Sequence, residues 1–211
     1  MRKPAGGKTS ARSRPAPPRK NTSARSSSSS GTKTVNIETP ERTEKTKQSS
    51  VSSVSSVLKV LRKQLADALA WHDAHADFER TANVPVEARG RKPRGLPYSP
   101  WQLLEHLRLS QRDILEFCRN PRYVEQRWPE DYWPKSEAPS DAGAWDASVA
   151  GFQRDRAALQ QLANDPRLDL FATIPHGSGQ TYLRELILAI DHNAYHVGEL
   201  VAVRRALGVW E

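Results

Sequence analysis

Two histidines four residues apart, His192 and His196 in Asp191-His-Asn-Ala-Tyr-His196, emerge on one face of any helix that holds them, close enough to share a metal ion. Such a pair alone is a frequent coincidence. The glutamate that a zinc-protease helix places after its first histidine is replaced by Asn193, so that chemistry is set aside. His106 adds a third imidazole. It lies about 60° from the centre of an apolar stripe through Leu103, Leu107 and Ile114, the flank from which a side chain looks into a helix bundle. His192 and His196 lie similarly to one side of a stripe through Leu186, Ile190, Asn193, Val197 and Leu200. Three imidazoles from two facing helices would make a facial site with coordination positions left for water or substrate. The competing reading makes each histidine an ordinary packing residue.

Other residues carry weaker signals. His75 is placed about 80° from the first helix's stripe and is a candidate proton-transfer group at the pocket wall. His72 falls inside that stripe and reads as core or pocket wall. Asp191 and Glu199 are candidates to orient ligand imidazoles from behind, against the commoner reading as exposed helix charges. Arg204 falls on the apolar stripe of its helix, which implies a buried ion pair or an anion contact. His176, in Pro-His-Gly-Ser-Gly, reads as a loop residue. Gly177 and Gly179 lack the Lys and Ser/Thr of a phosphate loop.

The elements that position these residues follow from periodicity. Val54, Leu58, Leu61, Leu65, Leu69 and His72 predict a first helix over about residues 52–80. Ser99, Pro100 and Gln102 form an N-cap, a first-position proline and the far side of a capping box, opening a second helix that Pro121 ends. Trp145, Val149, Phe152, Leu159 and Leu162 predict a third over about 141–163. A fourth runs from its cap Thr181 to Leu207, with Gly208 suited to the left-handed position beyond. Two long connections, 81–98 and 120–140, separate them; Trp128, Pro129, Tyr132, Trp133 and Pro134 make the second a packed cover over one bundle end. The expectation is an all-α protein, a four-helix up-down-up-down bundle over residues 51–211.

Residues 1–50 read instead as a disordered basic Ser/Pro-rich tail, without the apolar area to offset ordering entropy. Residues 1–56 carry twelve Lys or Arg and three Glu, while the remainder carries 20 basic and 21 acidic residues, so the net charge of +8 belongs to the tail. That removes the support for a nucleic-acid-binding fold, leaving nucleic acid as a partner through the tail alone. The tail is free of acid until Glu38 and so resembles a transit peptide in composition, but Pro15, Pro17 and Pro18 interrupt any amphipathic helix. No apolar run is long enough to span a membrane. The lone Cys118 excludes an internal disulfide and permits a reducing compartment, for which the cytoplasm is the expectation.

The segments Ser-Pro-Trp-Gln-Leu-Leu-Glu-His106-Leu-Arg and Asp-His192-Asn-Ala-Tyr-His196-Val-Gly-Glu-Leu-Val, with Trp-Pro and Tyr-Trp-Pro between them, resemble the DinB/YfiT superfamily of proposed metalloenzymes over about residues 52–210. The resemblance implies a four-helix bundle in which one histidine of the second helix and an H-x-x-x-H pair of the last bind one divalent ion, nickel or zinc first, with manganese and iron as alternatives. His106, His192 and His196 occupy those positions; the basic tail has no counterpart. It further implies a small-molecule substrate, such as a low-molecular-weight thiol, and leaves a homodimer open. The leading functional expectation is a metal-dependent transferase or hydrolase. The alternative is a noncatalytic, stress-associated metal-binding bundle whose tail contacts nucleic acid or a partner.

Overall fold

A computed structural model describes residues 40–70 and 73–211, with side chains from Ser53 onward; the expected tail up to residue 39 and His72 lie outside the described residues. Among these residues five α-helices follow one another: α1 (Pro40–Ala68), α2 (Phe78–Ala82), α3 (Pro100–Arg119), α4 (Ala144–Asn164) and α5 (Tyr182–Ala206). Among the described residues there is no strand, and one isolated bridge joins Thr173 to Thr181. The described residues form an all-α bundle of four long helices and one short one. No described helix is long and apolar enough to cross a membrane.

The predicted caps form. Ser99 Oγ accepts from Gln102 N at 3.2 Å while Gln102 Oε1 accepts from Ser99 N at 3.1 Å, the reciprocal box that opens α3 behind Pro100. Thr181 Oγ1 accepts from Arg184 N at the start of α5, and Gly208 takes φ 73° beyond its end. Asp141 Oδ1 accepts from the backbones of Gly143 and Ala144 and so starts α4 three residues after the predicted point.

The first helix departs from expectation at both ends. It begins at Pro40, where the missing N–H costs nothing, rather than near Ser52, and it stops at Ala68 rather than continuing to residue 80. The last residues expected in it belong instead to a separate helix, α2, whose N-cap Asp77 accepts from Arg80 N at 2.6 Å. The predicted stripe is buried only at its carboxyl-terminal end. Leu65, Ala66 and Leu69 join Ile114, Leu115, Leu159 and Leu186 in the core, while Val54 is 59% exposed.

Helix directions come from the polar links between them. Arg62 donates to the carbonyl of Ala163 and Gln160 to that of Ala66, so α1 and α4 are antiparallel. Ser148 donates to Glu105, Gln111 to Phe152 O and Arg112 to Asp155, so α3 and α4 run the same way. His106 meets His196 and Gln111 meets Asn193, so α5 opposes α3. The order is therefore up-down-down-up and corrects the expected strict alternation. The physical permission lies in residues 120–143: about 24 residues reach far beyond the ~31 Å that a helix of α4's length requires, so the chain can return along the bundle before re-entering it.

Candidate metal centre

α3 and α5 bring three imidazoles to one point. His106 Nε2 lies 3.1 Å from His196 Nε2 and 3.2 Å from His192 Nε2, and one nitrogen of each ring lies within 4.8 Å of the others. His106 is 1% and His196 8% exposed, with His192 half-buried. A metal–nitrogen distance of about 2.0–2.1 Å over these separations subtends about 100°, between a right angle and a tetrahedral one. His106 thus stands at ligand spacing from each of the other two rings, and the three together could hold one ion.

The outward nitrogens decide what the inward ones carry. His106 Nδ1 lies 2.9 Å from the carbonyl oxygen of Tyr132, which only accepts, so that nitrogen holds the proton and Nε2 presents a lone pair. His196 Nδ1 lies 2.7 Å from the Glu199 carboxylate, with the same result. Two lone pairs then face each other across 3.1 Å with no proton to bridge them, an arrangement that a cation between them relieves. His192 Nδ1 and Asn193 Oδ1 are buried without a well-formed hydrogen bond, although Asn193 pulls the His192 pKa upward. Asn193 Nδ2 donates at 2.8 Å to Gln111 Oε1, and Gln111 Nε2 at 2.7 Å to Phe152 O, so a buried amide chain ties this part of α5 to α3 and α4.

Burial keeps the rings neutral. It pushes His192 down to about 3, helped by the neighbouring His196 and His106 rings, and His196 down to about 4, helped by His106. His106 is lowered by burial too, partly opposed by the Tyr132 carbonyl and the Glu199 charge. All three therefore offer lone pairs at neutral pH without first releasing a proton.

The aromatic connection supplies one wall. Trp133 stacks on the His106 ring at 3.8 Å and 4° between planes, backed by Tyr98 at 4.0 Å. The expectation that the whole stretch covers the site holds for Trp133 but not for Trp128, which is 68% exposed with its ring 6.3 Å from His106. Tyr195, 63% exposed, meets the His196 ring edge-on at 4.8 Å.

The family model of the DinB superfamily matches residues 70–200. The chain belongs to the DinB superfamily. No curated protein and no solved structure shows a significant match to it.

Within this DinB-superfamily bundle the remaining expected residues are placed as follows. His75 lies in the bend after α1, exposed, with Nδ1 2.9 Å from Ala76 O. It lines a separate cavity of about 420 Å³ with Leu69, Phe152, Ile190 and Asn193, so it is not brought to the three histidines. The helical geometry that pointed it inward ends at Ala68. Of the two proposed orienting carboxylates, Glu199 touches a ligand and Asp191 is exposed. Among the described residues Arg204 makes no side-chain ion pair. Its buried guanidinium donates to the carbonyls of Arg80, Thr81 and Val209 and lies 4.7 Å from the Trp210 ring, joining α2 to the end of α5. His176 is a loop residue held 2.8 Å from Phe117 O. Cys118 is buried, its thiol pushed up to about 12 by desolvation first and the Glu185 charge second, which leaves it a poor nucleophile. Sequence reasoning did not reach the Tyr132 carbonyl, because a backbone acceptor has no signature in residue type.

Proposed function

We propose that this DinB-superfamily chain is a metal-dependent enzyme of the thiol-transferase or hydrolase type, with His106, His192 and His196 holding one divalent ion, nickel or zinc. The observation that carries the reading is the convergence of three Nε2 atoms at 3.1–3.2 Å around His106, with two of the lone pairs dictated by Tyr132 O and Glu199. When bound, such an ion lowers the pKa of a coordinated water or thiol and so supplies a nucleophile near neutral pH. The protein's own residues do the rest. Glu199 and the Tyr132 carbonyl keep the outward protons in place, and Trp133 excludes water from the His106 face. Trp128 and Tyr195, exposed beside the imidazoles, offer apolar contact to a small-molecule electrophile or a low-molecular-weight thiol.

The test is metal content per chain, measured on protein purified without a histidine tag, alongside helical circular dichroism. About one ion per chain is expected in the wild type. His106→Ala, His192→Ala and His196→Ala should each lose most of it while keeping their helices, and His176→Ala should lose nothing. Full occupancy in His106→Ala would refute the three-histidine site.

A further inference from the structure

One carboxylate outside the histidine cluster is committed entirely to the connection between α3 and α4. Asp113 stands on α3 seven residues beyond His106. Its Oδ1 accepts the hydroxyl of Tyr123 at 2.8 Å and its Oδ2 that of Tyr132 at 2.7 Å. Both phenols belong to the connection, nine positions apart, and both have their pKa raised by burial first and by this carboxylate second, so they stay protonated and donate. Hydrogen bonds to an ionised acceptor are roughly twice as strong as neutral ones. Tyr132 is therefore held at two points: its hydroxyl on Asp113 and its carbonyl on His106 Nδ1, with Trp133, the next residue, stacked on the same imidazole.

We propose that Asp113 is a positioning residue for the three-histidine centre: by latching Tyr123 and Tyr132 it keeps the Tyr132 carbonyl on His106 Nδ1, and so fixes the tautomer that turns the His106 Nε2 lone pair toward the ion. The inference rests on the metal-site reading above but makes its own claim about the protein without metal. With the latch released, Tyr132 keeps only its carbonyl contact to His106 itself, and when that contact opens the His106 proton can move to Nε2, which blocks that ligand.

The experiment uses the full chain, with nickel(II) as the probe. Imidazole 15N spectra of the metal-free wild type should show His106 as the single Nδ1–H tautomer. Asp113→Ala should populate the Nε2–H form and weaken nickel binding in equilibrium dialysis about 10–100-fold, the usual cost of losing an outer partner of a metal ligand. Asp113→Asn keeps one acceptor oxygen for one phenol and an N–H₂ to donate to the other, and should stay within about threefold of the wild type. Tyr132→Phe, which removes a single hydroxyl, should move both readouts in the same direction by less, and carries the test if Asp113→Ala does not fold. A lowered melting temperature in Asp113→Ala with an unchanged tautomer and unchanged affinity would reduce the latch to a structural tie and overturn the proposal, as would failure of Asn to rescue. If the wild type takes up no nickel, the proposed function fails, and the tautomer readout alone decides the role of Asp113.

Discussion

Metal binding at this centre should be nearly insensitive to mild acid, and the size of that effect can be worked out. An imidazole with the usual pKa of 6.5 loses free lone pair by about 25-fold between pH 7 and pH 5, so three of them would cost about 10⁴ in apparent affinity. Here His192 is held down to about 3 and His196 to about 4 by burial and by one another, so together they cost less than about twofold over that interval. His106 is lowered as well, and even an ordinary imidazole in its place would add no more than about 25-fold. The total loss should therefore stay below about 50-fold. Equilibrium dialysis of nickel(II) in a non-coordinating buffer at pH 7, 6 and 5, with protein and metal quantified on each side, measures it directly. A loss of 10³ or more, following the curve of ordinary imidazoles, would show that the rings are wet and that burial does not set their protonation.

The same depression has a cost for the metal-free fold. The unfolded chain protonates His192 and His196 as pH falls through 6.5 while the folded one does so only near 3 and 4, so stability that is full above 6.5 drains away between there and about 3; urea midpoints across that range should fall steadily. Leu159→Ala, at a fully buried position of α4, should destabilise by about 2–5 kcal/mol in urea titration, whereas Val54→Ser on the exposed part of α1 should stay within about 0.5 kcal/mol. Gln111→Leu strands the Asn193 amide and should cost about 1–3 kcal/mol, part of which Gln111→Leu with Asn193→Leu recovers; strictly additive losses would show that the buried amide chain does not act as a unit.

Much of this arrangement is legible in the sequence. The capping box of Ser99 and Gln102, the Thr181 cap and Gly208 are local chemistry, and they appeared where the residue types demanded them. The three histidines were readable because a helix converts spacing into direction. What failed was whatever depended on the chain leaving a helix. The stripe through Leu65 and Leu69 continues in register to His72, so periodicity alone does not show that α1 ends at Ala68, that His75 lies in the bend beyond it, or that Asp77 begins a new helix. Arg204 departs from the expected ion pair because three carbonyl oxygens from α2 and the C-terminal segment occupy its guanidinium. Helix order was missed for a related reason: a connection as long as residues 120–143 allows α4 to run either way, and nothing in its composition reports which.

That returning connection divides the labour at the centre. The imidazoles sit on α3 and α5, whose spacing the core sets, while the carbonyl behind His106, the ring stacked on it and the exposed Trp128 all come from one non-helical strap. Apart from Tyr123, Tyr132 and Trp133, which are tied to Asp113 and His106, Glu137, whose carbonyl accepts from Ser99 Oγ, and Asp141, which caps α4, the strap can change in sequence and length at little expense to the bundle, since loop insertions add only slowly to closure entropy. Selectivity for what approaches the histidines can thus drift or be engineered in residues 120–143 while the ligands themselves stay untouched. Libraries confined to the strap would be the economical way to retune the protein.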